Sequence, residues 1–182
     1  MVLTELFLSA FVTLFVVIDP PGCAPIYAGL TKGATPQQAR SMALRATGIA
    51  SIILLIFALF GQELLGALHI ELNSFRIAGG LMLFFIAFDM VFEKRTQRRE
   101  ERAEKVRAQH ALTPEVEDVS AFPMAMPMIA GPGSMATMVL LASEQGGGWV
   151  WLVWLHLILF AVLALSLGLF LLYGRPFRRA RA

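Results

Sequence analysis

The chain has 182 residues, of which 57% are hydrophobic and 15% charged, with a formal net charge of +2 and a mean hydropathy of +0.69. A water-soluble domain of this length would need far more polar side chain to cover its outside, so the composition excludes the soluble classes and points to a membrane protein. The pI near 9.0 is read as a mark of topology and not of nucleic-acid binding. Cys23 is the single cysteine, which excludes an intrachain disulfide. His69, His110 and His156 lack metal-ligand spacing, so no metal and no cofactor is expected.

The first apolar run, about 3–30, carries Glu5 where a leader would carry basic residues, and it is too long for a signal peptide, so it reads as a retained first span. It is interrupted at 19–22 within VIDPPGCAPIY. Residues 31–40 form a short loop, in which Thr35 before Pro36 has the form of an N-cap followed by proline at the first helical position. Span 2 covers about 41–62, and a connection through Glu63, His69 and Glu71 leads to span 3, about 73–92. Residues 93–118 mix both signs of charge, with Glu101 and Lys105 four apart, and read as a solvated helix; a partner-binding or anionic-lipid-binding face is the alternative. Span 4 covers about 120–143 and is interrupted at 131–133. A tight turn at 144–148 precedes span 5, about 149–173, and the tail is RPFRRARA. Trp149, Trp151 and Trp154 read as an interfacial belt at the start of span 5.

Each span is close to the ~20 apolar residues that cross a bilayer, and a backbone in lipid satisfies its own hydrogen bonds by coiling into helix. The expected fold is therefore an all-α membrane protein, one polytopic helix bundle over residues 1–182. Its basic residues fall in three places: Lys32, Arg40 and Arg45; then Lys94, Arg95, Arg98, Arg99, Arg102, Lys105 and Arg107; then Arg175, Arg178, Arg179 and Arg181. Together these are fourteen of the fifteen Lys and Arg residues, and Arg76 is the exception. Five crossings put all three regions on one side, so the positive-inside rule predicts an outside N-terminus and a cytoplasmic C-terminus.

The break at Asp19-Pro20-Pro21-Gly22 has a counterpart in MPMIAGPGSMATM. Aligning Pro21-Gly22 with Pro132-Gly133 sets Asp19 on Ala130, Pro20 on Gly131 and Cys23 on Ser134. Both breaks fall in the first span of a group, which suggests inverted repeats: repeat one at 1–92, a charged loop at 93–119, and an incomplete repeat two at 120–182. A proline-initiated half-helix inside a membrane leaves its first N–H groups without partners, and these can hold an anionic group. Alternatively, the prolines only kink the helices. Asp19 is placed to cap the half-helix that begins at Pro20, and it is also a candidate for binding a proton or an ammonium group. Around Gly131, Pro132, Gly133 and Ser134 there is no acid, and the free N–H groups there suit a carboxylate. The pair would suit a zwitterion such as a small neutral amino acid. Asp89 is read as facing the interface, Arg76 as snorkelling at the outer edge, Gly79-Gly80 as a close helix contact and His156 as a hydrogen-bonded buried histidine; Arg76, Gly79, Gly80 and Asp89 are also candidates for supporting the substrate site.

Three segments together, IDPPGCAPIY, SFRIAGGLMLFFIAFDMVF and FPMAMPMIAGPGSMATM, resemble the MarC family of bacterial inner-membrane proteins in sequence, order and spacing over about 5–175. The resemblance implies six spans, an outside N-terminus and a relation to LysE-type exporters. It marks Asp19, Pro20, Gly22 and Pro25, then Arg76, Gly79 and Gly80, then Pro127, Gly131, Pro132 and Gly133. The tail after Gly174 is too short and basic for a sixth span, so five are expected here. A truncated product, or a second protomer filling the gap, would account for that.

The function expected is that of a multi-pass inner-membrane transporter or exporter of a small polar solute, working by alternating access at the paired breaks. Its alternative is a non-transporting scaffold or inactive family member. No nucleophile–base constellation is visible, so an enzyme is not expected. The expected partners are the lipid bilayer and the solute, with proton coupling and homo-oligomerisation left open.

Overall fold

The computed structural model describes residues 2–92, 97, 100, 101, 104, 118–144 and 148–174, and among the described residues every regular element is helical. Helices α1 (Val2–Ile18) and α2 (Pro20–Leu30) are separated by Asp19 alone. The Asp19 N–H still donates to the Phe15 carbonyl at 2.9 Å, and the Asp19 carbonyl accepts from Cys23 N–H at 3.0 Å. The pair therefore runs on as one apolar span, Thr4–Leu30. The interruption expected over 19–22 shrinks to one residue because Pro20 and Pro21 sit in the first turn of α2, where no intrahelical donor is needed.

Helix α3 (Pro36–Ala67) starts at a full capping box, as the Thr35–Pro36 pair predicts. The Gln38 N–H donates to Thr35 Oγ1 at 3.3 Å, and the Thr35 N–H donates to Gln38 Oε1 at 2.8 Å. The helix extends beyond the expected 41–62 at both ends. At 1.5 Å per residue its length is about 48 Å, so its end turns reach past the ~30 Å hydrocarbon core. Its buried stripe is mostly small: Ala39, Ala43, Ala46, Ala50, Ala58 and Gly61. Small residues let neighbouring backbones approach; a Cβ at Gly61 would lie 2.5 Å from Val139 Cγ2. α3 is thereby the central strut, packed on the segment Ser120–Ile129 and on the two helices that follow it.

Helix α4 (Leu72–Val91) packs chiefly on α5 (Pro132–Ser143). Of its residues only Gly79 is fully buried. The contact is a reciprocal pair of knobs and notches. A Cβ at Gly79 would lie 2.7 Å from Leu140 Cδ1, and a Cβ at Gly133 would lie 2.4 Å from Ile86 Cδ1. The opposite face exposes Ile77, Phe84, Phe85, Phe88 and Val91. In a bilayer that face meets lipid, so its apolar character costs nothing.

Segment Ser120–Ile129 leads into α5 through a 54° bend. It is not a regular helix: Phe122 and Met126 are extended, at φ −131°, ψ 130° and φ −127°, ψ 125°. Each precedes a cis proline, Pro123 and Pro127. Helix α6 (Trp149–Tyr173) closes the bundle against α1, α2 and α3. Trp149 and Trp154 are exposed, in keeping with a belt, but Trp151 is buried and its indole N–H donates to the Leu141 carbonyl at 2.6 Å. It leaves the belt because it lies two residues after Trp149, about 200° round the helix, and so points at the carbonyl end of α5. His156 gives its Nδ1–H to the Leu152 carbonyl at 2.5 Å, and Nε2 is buried without a hydrogen-bond partner among the described residues.

Among the described residues four helices are long and apolar enough to cross a membrane, and up to five spans result if the bent pair counts as one. Arg45 pairs with Asp118 at 2.8 Å, and Arg40 and Gly174 line one cavity. The segments adjoining the three basic regions therefore meet at one end of the bundle. Of the charged stretch 93–118, Gln97, Glu100, Glu101 and Glu104 are helical and exposed. The rest of its expected helix up to residue 117, residues 145–147 of the expected turn and the tail from 175 lie outside the described residues.

Candidate functional site at the two helix breaks

The first break is built by Asp19 and Gly22. Asp19 is left-handed at φ 56°, ψ 65°, and its Oδ1 accepts from Gly22 N–H at 3.0 Å. An aspartate adopts this conformation more readily than most residues because its short side chain can bond locally. Gly22 is required by the same bond, since a Cβ there would lie 2.2 Å from Asp19 Oδ2. Asp19 is half-buried. Inside α2, Pro25 has no N–H for the Pro21 carbonyl, which loses its helical donor. Pro20 is buried; Pro21 and Pro25 are exposed.

The second break is different. Gly131 is the N-cap of α5, extended at φ −82°, ψ 171°, and no side chain caps the helix. A Cβ on Gly131 would lie 2.5 Å from the Pro127 carbonyl oxygen, so the irregular segment leaves room only for glycine. Pro132 occupies the first helical position. The next N–H groups, of Gly133 and Ser134, point out of the helix end without intrahelical partners. Ser134 is buried. Matched by N-caps, Asp19 corresponds to Gly131, one residue off the alignment by Pro-Gly pairs.

Tertiary packing brings the two breaks together. The position of a Cβ on Gly133 is 3.6 Å from Val17 Cγ1, and Val17 is two residues before Asp19. The same position touches Ile86 of α4. Asp89 is three residues beyond Ile86, on the same side of α4, and is half-buried. Val17, two residues before Asp19, and Ile86, three residues before Asp89, thus both border the start of α5. Arg76 and Gly80 do not join them. Arg76 is exposed and ten residues before Ile86, about 15 Å along the axis. Gly80 faces open space, and Gly79 packs on Leu140. Sequence reasoning missed Val17, Ile86 and Leu140, which look like ordinary apolar residues; the irregularity of 120–129 had a signal in Pro123 and Pro127, four residues apart.

Among the described residues no group of three His, Cys, Asp or Glu side chains could hold a metal ion. The groups the two breaks offer are backbone N–H groups at the start of α5 and the Asp19 carboxylate at the start of α2. Such a helix start carries roughly half a positive charge.

Comparison with known proteins gives the family. The chain is 36% identical over 140 residues to a UPF0056 membrane protein of Archaeoglobus fulgidus, covering 77% of this chain and 63% of that one. It is 31% identical over 137 residues to the UPF0056 membrane protein YvbG of Bacillus subtilis, covering 75% and 63%. It is 30% identical over 137 residues to the UPF0056 inner membrane protein YhgN of Escherichia coli K12, covering 75% and 64%. The matched part thus spans about three fifths of the length of these curated relatives. No solved structure matches the chain. The profile of the MarC family of integral membrane proteins matches residues 4–180, nearly the whole sequence, and this chain belongs to that family.

Proposed function

We propose that the chain forms all or part of a carrier for a small polar solute, with a neutral amino acid as the best-fitting class. The observation that supports the reading is the closeness of Gly133 to Val17, 3.6 Å from Val17 Cγ1 to where a Cβ on Gly133 would lie, since Val17 is two residues before Asp19. The solute's carboxylate would meet the N–H groups of Gly133 and Ser134, and its ammonium group would meet Asp19 or Asp89. The two breaks would belong to oppositely oriented repeats that rock against each other to alternate access. The end bearing the basic segments would face the cytoplasm of a bacterial inner membrane; a reporter fused after residue 109 tests this and should read cytoplasmic.

A scaffold reading has its own support, since the groups touching Gly133 are apolar. Flux separates the two. Purified chain in sealed vesicles should give saturable counterflow of at least one labelled neutral amino acid. Rates equal to protein-free vesicles across a panel of such solutes would remove the carrier reading.

A further inference from the structure

At the end of the bundle where the basic segments gather, α2, α3 and α6 surround a cavity of about 430 Å³. That is within the range of small-molecule sites. Its walls include Tyr27, Ala39, Arg40, Phe170, Leu171 and Gly174. Tyr27 and Phe170 stack with ring centroids 4.8 Å apart, and both are fully buried. The Tyr27 hydroxyl is spent on the Ala39 carbonyl, which fixes the aromatic floor and leaves it apolar. Gly174 keeps the wall thin: a Cβ there would lie 2.8 Å from both Tyr27 Cε1 and the Phe170 carbonyl oxygen.

Among the described residues Arg40 is the one charged residue lining the cavity, and it is exposed. The ion pair among the described residues belongs to Arg45 and Asp118, so Arg40 keeps its guanidinium for another partner. The sequence continues from Gly174 with four arginines and no acid in eight residues. A guanidinium offers a planar fork of donors that fits phosphate oxygens. A free anion would use the fork and ignore the apolar wall at Leu171. An amphiphile uses both, and the cavity lies where two apolar helices end and a third begins. We propose that this cavity seats an anionic phospholipid, its phosphate on Arg40 and its upper acyl carbons on Leu171, above the buried Tyr27–Phe170 pair. Basic pockets between membrane helices suit such headgroups.

The test is native mass spectrometry of the full chain released from micelles containing equal amounts of phosphatidylglycerol and phosphatidylcholine. Wild type should retain phosphatidylglycerol in preference by about tenfold, the scale of one charge-assisted hydrogen-bond pair. Arg40→Gln should abolish the preference. Arg45→Gln removes a cation at the same end but outside the cavity, and should keep it. Gly174→Leu fills the cavity without changing charge, and should lose the preference as Arg40→Gln does. Melting in phosphatidylcholine micelles reports whether each variant is folded. Equal retention of the two lipids by wild type, or an undiminished preference in both cavity variants, overturns the proposal. So does full displacement of the lipid by millimolar inorganic phosphate, which would make the cavity a site for the free anion.

Discussion

The two helix breaks look alike in sequence and differ in what they leave unsatisfied. At the first, one left-handed residue turns the chain, and its carboxylate answers the helix end it creates. At the second, the chain arrives through two extended residues and two cis prolines, bends by 54°, and starts a helix that no side chain caps. Asp19 brings negative charge and spends one oxygen locally. Gly131–Ser134 brings positive potential and keeps its donors. A proline and a glycine thus interrupt a membrane helix in either case, and the residue at the N-cap decides which sign of charge the interruption offers.

The contrast breaks most visibly at Gly133. Gly133→Leu drives a side chain into Ile86, and overpacking of this kind costs about 1–3 kcal/mol. Adding Ile86→Ala exchanges knob and notch and should restore the melting temperature. Flux should stay down by on the order of tenfold, because the leucine still covers the N–H groups that would hold a carboxylate. Flux that returns together with stability would make the second break a packing device only.

A smaller effect is expected at the first break. Asp19→Ala loses the cap, about 1 kcal/mol, and forces alanine into a left-handed conformation, about 1–2 kcal/mol more. Gly22→Ala should cost a similar amount, since its methyl would displace the carboxylate from the cap. Asp19→Asn keeps both the capping oxygen and the tolerance of the left-handed region, so its melting temperature should match wild type. If the carboxylate meets the solute's ammonium group, the Asn variant should nevertheless lose flux. An Asn variant with wild-type stability and wild-type flux confines Asp19 to capping.

The smallest effect is away from both breaks. The Ser120 hydroxyl and N–H, together with Arg45, hold the Asp118 carboxyl below the usual carboxylate range. Because its folded value is depressed, the stability it contributes is present above the ordinary carboxylate pKa of about 3.9. That stability is lost as pH falls from there through the lowered value. Both side chains of the Arg45–Asp118 pair are largely exposed, so Arg45→Gln should shift stability by less than about 1 kcal/mol at neutral pH. Melting curves of wild type and Arg45→Gln should converge as pH falls through the lowered Asp118 value. A loss as large as that of Asp19→Ala would mean that this end of the bundle is held electrostatically.

Much of this arrangement was legible because local chemistry decides it. The apolar runs announce the spans, Thr35-Pro36 announces the start of α3, and Asp19 announces the cap of α2. The shape of the breaks was not legible. Proline after aspartate predicts that a helix begins, but it says nothing of how few residues separate it from the previous one. Nor could spacing show that Val17, Ile86 and Gly133 meet, since each is an unremarkable member of an apolar run until tertiary packing selects it. Trp151 shows the same limit: Trp149 and Trp154 are exposed, and about half a turn of helix separates Trp149 from the buried Trp151.

The contact between α4 and α5 carries a mechanical consequence. Each helix contributes one recess and one plug, seven residues apart on both: positions 79 and 86 on one, 133 and 140 on the other. Sliding either helix by a single turn would set both plugs against filled positions at once. The joint therefore resists translation along its axis more than rotation about the contact line, and among the described residues α4 packs chiefly on α5. Whatever rearrangement this part of the bundle undergoes, α4 travels by swinging or by coming away whole, and its register against α5 is kept.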